Sequence, residues 1–160
     1  MNNKILMKKY AVNYLSRYAS SKKNLERVLK KKIIRLKDTP TEEKVVLNKY
    51  ICEILNELES KNIINDKEFI ISKINNFFTQ GKSKNFIKLN LLKKGLIKEL
   101  IEDCLLKFEL DNPEWELNSA QTFAKKKRLG KYGKQINKEK DLAKMARAGF
   151  SYDIANKIFD

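Results

Sequence analysis

Apolar positions along the chain recur with the period of an α-helix. Met7, Ala11, Tyr14, Leu15 and Tyr18 stand at i, i+4, i+7, i+8 and i+11. Leu47, Ile51, Ile54, Leu55 and Leu58 repeat the spacing, and so do Ile97, Ile101, Cys104, Leu105 and Phe108. One stripe of a 3.6-residue period is therefore written three times, and no segment shows the alternation of a half-buried strand. Shorter segments open on residues whose side chains accept from free N–H groups: Ser21 before Leu25 and Leu29, Ser83 before Ile87 and Leu91, Asn137 before Leu142 and Met145.

Other breaks have their own markers. Thr39-Pro40-Thr41-Glu42 reads as a capping box with proline at the first helical position, and Asn112-Pro113-Glu114 as a similar start. Asn65-Asp66 can cap a helix through Ile70, Ile74, Phe77 and Phe78 that stops near Gly81. Gly95 and Gly149 follow basic helix ends, where a residue of positive φ is favoured. Helices are thus predicted at 5–18, 21–34, 40–60, 66–79, 83–94, 97–109, 113–129, 137–148 and 151–159.

These elements fall into triplets. Leu25/Leu29/Ile33-Ile34 aligns with Ile87/Leu91/Gly95-Leu96 and with Asp141/Met145/Gly149-Phe150, at offsets of 62 and 54 residues. The predicted architecture is all-α, three tandem three-helix repeats over 1–63, 64–110 and 111–160, stacked into an elongated, curved body. Such a body offers a long face, better suited to a filament or strand than to a small metabolite.

Charge adds a partner class. Thirty-five Lys and Arg against 20 Asp and Glu leave +15, and the chain has no histidine. The surplus is unevenly placed: residues 21–37 carry +7, 82–94 carry +5 and 121–140 carry +7, while 38–81 carry −3 and 95–120 carry −5. Three basic stretches recurring with the repeat predict a positive stripe that tracks a polyanion backbone. The densest run is Lys125-Lys126-Lys127-Arg128-Leu129-Gly130-Lys131-Tyr132-Gly133-Lys134, read as a flexible basic loop with an aromatic that can stack. With 30 Lys to 5 Arg, charge attraction with little base discrimination is expected.

Catalytic chemistry finds no purchase. Without histidine there is no Ser/His/Asp or Cys/His pair and no His-ligated zinc. Cys52 and Cys104 cannot build a four-thiolate site, and both fall in apolar patterns that mark core filler. Gln80-Gly81-Lys82-Ser83 imitates the end of a phosphate loop, but Asn76 stands where a glycine is required and a helix precedes it, so Ser83 is read as a cap. Glu53, Glu57 and Glu59, and Glu99, Glu102 and Asp103, lie among lysines and read as solvated faces. Trp115, Phe123 and Phe150 are read as core. No catalytic residue, metal or cofactor is expected. No apolar run approaches the ~18 residues of a membrane span, Lys8 and Lys9 interrupt any signal-peptide core, and a reducing cytoplasm is the expected compartment.

Several of these residues also resemble a known family. Ile64-Asn65-Asp66…Phe69 and Ser83…Ile87…Leu91-Leu92-Lys93-Lys94-Gly95-Leu96 resemble the central repeat of the RecX family, regulators of the RecA recombinase. Arg128-Leu129-Gly130-Lys131-Tyr132, with Lys140-Asp141-Leu142-Ala143-Lys144-Met145-Ala146-Arg147-Ala148-Gly149-Phe150-Ser151-Tyr152-Asp153-Ile154-Ala155, is similar to the C-terminal signature of alphaproteobacterial members. Tyr14-Leu15-Ser16-Arg17-Tyr18 with Ser20-Ser21 and Leu25 resembles the first repeat. Ile33-Ile34 departs from the pattern where a glycine turn is common, and Asn65-Asp66 where paired aspartates are frequent.

The resemblance implies a right-handed helical crescent of three repeats and a monomer without enzymatic activity. It also implies binding in the groove of the RecA filament on single-stranded DNA, with inhibition of filament extension, ATP hydrolysis, strand exchange and co-protease action. The basic runs and the resemblance together nominate Lys93, Lys94, Lys125, Lys126, Lys127, Arg128, Lys131, Lys134 and Arg147 as contacts, with Tyr132 and Tyr152 as exposed aromatics. The charge alone would equally suit a general single-stranded nucleic-acid-binding protein without a dedicated protein partner.

Overall fold

A computed structural model describes residues 3–160. Among them are nine α-helices and no strand: α1 (Asn3–Leu15), α2 (Lys22–Ile34), α3 (Thr41–Ser60), α4 (Asp66–Thr79), α5 (Lys84–Lys93), α6 (Lys98–Asp111), α7 (Trp115–Lys127), α8 (Lys138–Arg147) and α9 (Tyr152–Asn156). Gly130–Tyr132 and Lys157–Phe159 form 3-10 turns. The capping residues act as their chemistry predicts. The Oγ of Ser21 accepts from the Asn24 N–H (3.2 Å), that of Ser83 from Phe86 (3.1 Å), and the Asn65 and Asn137 amides from Glu68 and Lys140 (both 3.1 Å).

The two proline starts differ from expectation. Pro40 occupies the N-cap position of α3 itself and no side chain caps that end; α7 likewise begins after Glu114 without a side-chain cap. Glu42 and Glu43, and Glu116, supply first-turn negative charge there instead.

The described chain falls into two compact units. The first holds the residues up to Phe69 together with Lys94–Leu96. Its core is the predicted stripe of α3, Leu47, Ile51, Ile54, Leu55 and Leu58, packed on Leu25, Leu29 and Ile33 of α2 and on Met7 and Ala11 of α1. Tyr18 lies beyond the end of α1 and is 57% exposed, so the first stripe stops one turn short. Cys52 is exposed on α3 and takes a weak hydrogen bond from Asn56 (3.7 Å); the core-filler reading holds for buried Cys104 and fails for Cys52.

The second unit comprises Ile70–Lys93 and Ile97–Asp160. Trp115 is fully buried, edge-on to Phe78 and Phe108 (ring centroids 6.4 and 5.5 Å). Ala120, Ala124, Leu129, Met145, Phe150, Ala155 and Ile158 form the core beneath α9, which places Phe150 and its half-buried neighbour Phe123 where the packing reading put them. Ile97 sits at the N-cap of α6, 62% exposed, outside the stripe that Ile101, Cys104 and Leu105 continue.

Each unit contains the same joint. In the first, the Oγ of Ser21 donates to the Lys94 carbonyl (3.3 Å) and the Lys22 N–H to the Asp66 carboxylate (2.8 Å). In the second, the Oγ of Ser83 donates to the Ala148 carbonyl (2.8 Å) and the Lys84 backbone to the Glu116 carboxylate. A glycine of positive φ follows each accepting carbonyl, Gly95 (φ +78°) and Gly149 (φ +94°). A Cβ at Gly95 would lie 2.5 Å from Lys23 Cγ, and one at Gly149 would lie 2.5 Å from Ser83 Oγ. Only a residue without a side chain allows the two segments this close. Free N–H groups of α2 and α5 thus find partners remote in sequence, satisfying helix ends that would otherwise be orphaned.

Candidate nucleic-acid interface

In the second unit, three segments converge on a concavity of about 500 Å³. Lys82 comes from the turn before α5, Lys127 from the last turn of α7, and Lys144 and Arg147 from the last turn of α8; Phe86 and Phe123 line the same space. Both rings are half-buried, Phe86 edge-on to Phe77 (5.5 Å) and Phe123 tilted against Phe150 (5.7 Å). The Lys82 ammonium lies 4.7 Å from the centre of the Phe86 ring, a cation–π contact. Lys127, Lys144 and Arg147 are exposed, and among the described residues none of the three has a carboxylate partner. Four positive charges around one concave surface focus their field on whatever enters it.

Lys125, Lys126 and Lys127 form the basic last turn of α7, and Arg128 ends it in the left-handed conformation (φ 55°). Lys126 donates to the Gln80 carbonyl (3.2 Å), beside the Gly81 turn. Beyond Arg128 the run is not the open loop its glycines suggest. Leu129 and Gly130 are buried, and the Gly130 N–H donates to the buried Asp141 carboxylate (2.8 Å). Lys131 and Lys134 project to solvent from this held turn; the Lys131 ammonium sits 5.6 Å from the Tyr132 ring centre. Tyr132 itself is half-buried against the core, whereas Tyr152 is 67% exposed as expected. Lys93 is exposed at the end of α5. Lys94 is half-buried in the first unit, its carbonyl engaged by Ser21, so the joint and not the basic cluster accounts for its place.

The structure therefore joins Lys127 and Arg147 of the expected contacts and adds Lys82 and Lys144. Lys82 stands in the phosphate-loop mimic, where its neighbour Ser83 is a cap, as read. A lysine between a turn glycine and a capping serine, opposite a basic helix end, was the signal available for it. The other basic stretches are more neutralised: Lys22 pairs with Glu59, Lys23 and Lys30 with Glu26, Lys84 with Glu109 and Lys88 with Glu102. Glu26 and Glu102 are held below the ordinary carboxylate range by these lysines. Glu53 and Glu57 pair with Lys4 and Lys8, and the Lys61 and Lys8 ammonium groups push Glu57 down to about 2. A second concavity, about 370 Å³ in the first unit, is lined by Leu6, Met7, Tyr10 and Leu47, with Lys32 as the single cation among the described residues that line it.

The chain is 30% identical over 155 residues to the regulatory protein RecX of Myxococcus xanthus, an alignment covering 94% of this chain and 82% of the relative. It belongs to the RecX family. RecX of Streptococcus agalactiae is 30% identical over 112 residues, 69% of this chain and 42% of that protein. No family model matches the chain. The RecX crystal structure from Lactobacillus salivarius superposes with a TM-score of 0.73 at 28% identity, covering 98% of this chain and 94% of that one. A second crystal structure of regulatory protein RecX, 22% identical, shares the fold with a TM-score of 0.72 over 97% of this chain and 70% of its own. The all-α fold expected from the apolar period is thus the fold of RecX proteins, and no described helix is long and apolar enough to cross a membrane.

Proposed function

We propose that the protein is a non-enzymatic regulator of the RecA recombinase. It acts in the cytoplasm as a monomer, binds the RecA filament on single-stranded DNA, and inhibits filament extension, ATP hydrolysis, strand exchange and co-protease action. Family membership over nearly the whole chain is the observation that carries this reading. The concavity ringed by Lys82, Lys127, Lys144 and Arg147 supports it, because a filament on DNA presents phosphates that these cations can neutralise. The twofold joint at Ser21–Gly95 and Ser83–Gly149 supports three tandem units over 1–63, 64–110 and 111–160. In this reading Lys93, Lys125, Lys126, Arg128, Lys131, Lys134 and Tyr152 extend the contact surface.

The unpaired cations favour one second reading, a general single-stranded nucleic-acid-binding protein without a dedicated partner. Titrating substoichiometric protein into RecA's DNA-dependent ATPase separates the two. Inhibition beyond what competition for DNA produces supports the filament reading; no inhibition at any ratio refutes it.

A further inference from the structure

We propose that the concavity of the second unit takes in one unpaired nucleotide of a single strand, its base against Phe86 and Phe123 and its flanking phosphates on Lys127, Lys144 and Arg147. The inference deepens the reading of this surface as a nucleic-acid interface and rests on it. A volume of about 500 Å³ falls within the range of sites that enclose small ligands, roughly 300–1,000 Å³. Its two phenyl rings are half-buried, each braced by another aromatic, so the apolar floor is rigid yet accessible.

The rim is cationic, and among the described residues no lining group is a carboxylate. A lone anion would satisfy the rim and leave the floor unfilled; an aliphatic acidic peptide would supply charge without a planar ring. An unpaired nucleotide supplies both in one covalent unit, a flat π face between two phosphates. Bases in a duplex are stacked and show only their edges, so the floor selects single strands. Lys82 already shows the geometry, with its ammonium on the Phe86 ring; it swings to a phosphate when a base takes its place. Because three of the four rim cations are lysines without a bidentate fork, the site tolerates any base.

Fluorescence anisotropy without RecA tests this. The probes are a dT 20-mer, an abasic 20-mer of the same charge and a 20-base-pair duplex, each at one fixed salt concentration. The wild type should bind the dT strand about tenfold more tightly than the abasic strand, in line with stacking of one base, and more tightly than the duplex. Phe86→Leu should lower the ratio of dT to abasic affinity severalfold, whereas the pair Lys144→Gln and Arg147→Gln should weaken both strands and leave that ratio in place. Independently of any variant, a 5-iododeoxyuridine strand irradiated with the wild type should crosslink at Phe86, Phe123 or an adjoining residue. Equal affinity for dT and abasic strands, a duplex bound as tightly as the single strand, or crosslinks confined to other surfaces would overturn the proposal. Loss of base preference with RecA inhibition retained removes this pocket alone; base preference without RecA inhibition removes the filament reading and leaves the pocket.

Discussion

Residues 21–37 and 121–140 carry the same formal charge, +7 each, and they fold in units that contain the same serine–glycine joint. The structure treats their charge differently. In the first stretch Lys22, Lys23 and Lys30 are matched to Glu59 and Glu26, and Lys32 rests over the Tyr10 ring. In the second, among the described residues, no lysine or arginine has a carboxylate partner; Lys126 bonds a carbonyl, and Lys131 and Lys138 lie over Tyr132 and Phe159. Identical sums along a chain therefore do not mean identical fields at a surface. Charge left without a local counterion is the charge available to a polyanion.

The largest expected effect comes from exchanging Lys125, Lys126, Lys127 and Arg128 for Gln, compared with Lys22, Lys23 and Lys30 exchanged likewise. The first set should weaken binding to single-stranded DNA by at least tenfold and lower the salt slope by about 2 to 3, since each phosphate released removes about 0.7. The second set should change the slope by less than 1. Neither should move the melting temperature by more than about two degrees, because exposed lysines, paired or not, add little to stability. Equal losses of slope in both sets would mean that the matched and the unmatched lysines meet DNA alike.

The shared joint carries the next largest effect. Gly149→Ala and Gly95→Ala should each cost about 1–3 kcal/mol in urea unfolding, through strain at positive φ and the Cβ contacts. Gly149→Ala should be the worse, because it presses on a Ser83 hydroxyl fixed by two hydrogen bonds while Gly95→Ala presses on the stem of Lys23. A neutral Gly149→Ala would mean that the close approach at Ser83 does not stabilise the fold.

pH separates the two units further. Burial raises Glu116 above its ordinary 4.5, against the Lys84 N–H it accepts. A carboxyl raised on folding favours its protonated form. Its contribution is full below 4.5 and fades as pH rises through the folded value. Glu116→Gln keeps an acceptor and should therefore flatten the pH dependence of stability just above 4.5, with no loss at neutral pH. The smallest effect belongs to the first unit. Glu57, lowered to about 2, contributes stability above 4.5 that is lost as pH falls toward 2, so Glu57→Gln should flatten only that acid limb. Thermal melts from pH 2 to 7 check both.

Much of the fold was legible because it rests on local chemistry. The 3.6 period and the capping residues together placed nine helices, although α9 ends at Asn156 and gives way to a 3-10 turn; Ser21, Ser83, Asn65 and Asn137 opened theirs because a short polar side chain before an apolar run has one obvious use. Pro40 misled because proline suits both the N-cap and the first helical position. Tyr18 and Ile97 misled because a period continues on paper past the place where packing ends, and Cys52 because a neighbour of buried Ile51 in sequence lies on another face of α3. The joints were half visible: Gly95 and Gly149 announced positive φ, but their partners Ser21 and Ser83 lie more than 60 residues away, where spacing carries no signal. The site was least legible. A lysine matched to a glutamate and a lysine matched to nothing read alike, so the basic run nominates Lys127 and the family resemblance Arg147, while Lys82 of the turn before α5 and Lys144 of α8 join them only where the three segments meet.

If the protein holds the RecA filament through these unmatched cations, as we propose, labelled protein is retained differently on RecA-coated single-stranded DNA and on bare DNA at one salt concentration. Stronger retention on the coated strand, lost when Lys125 to Arg128 become Gln and kept when Lys22, Lys23 and Lys30 do, is the result predicted. Equal retention on coated and bare DNA, or indifference to both sets of substitutions, would contradict it.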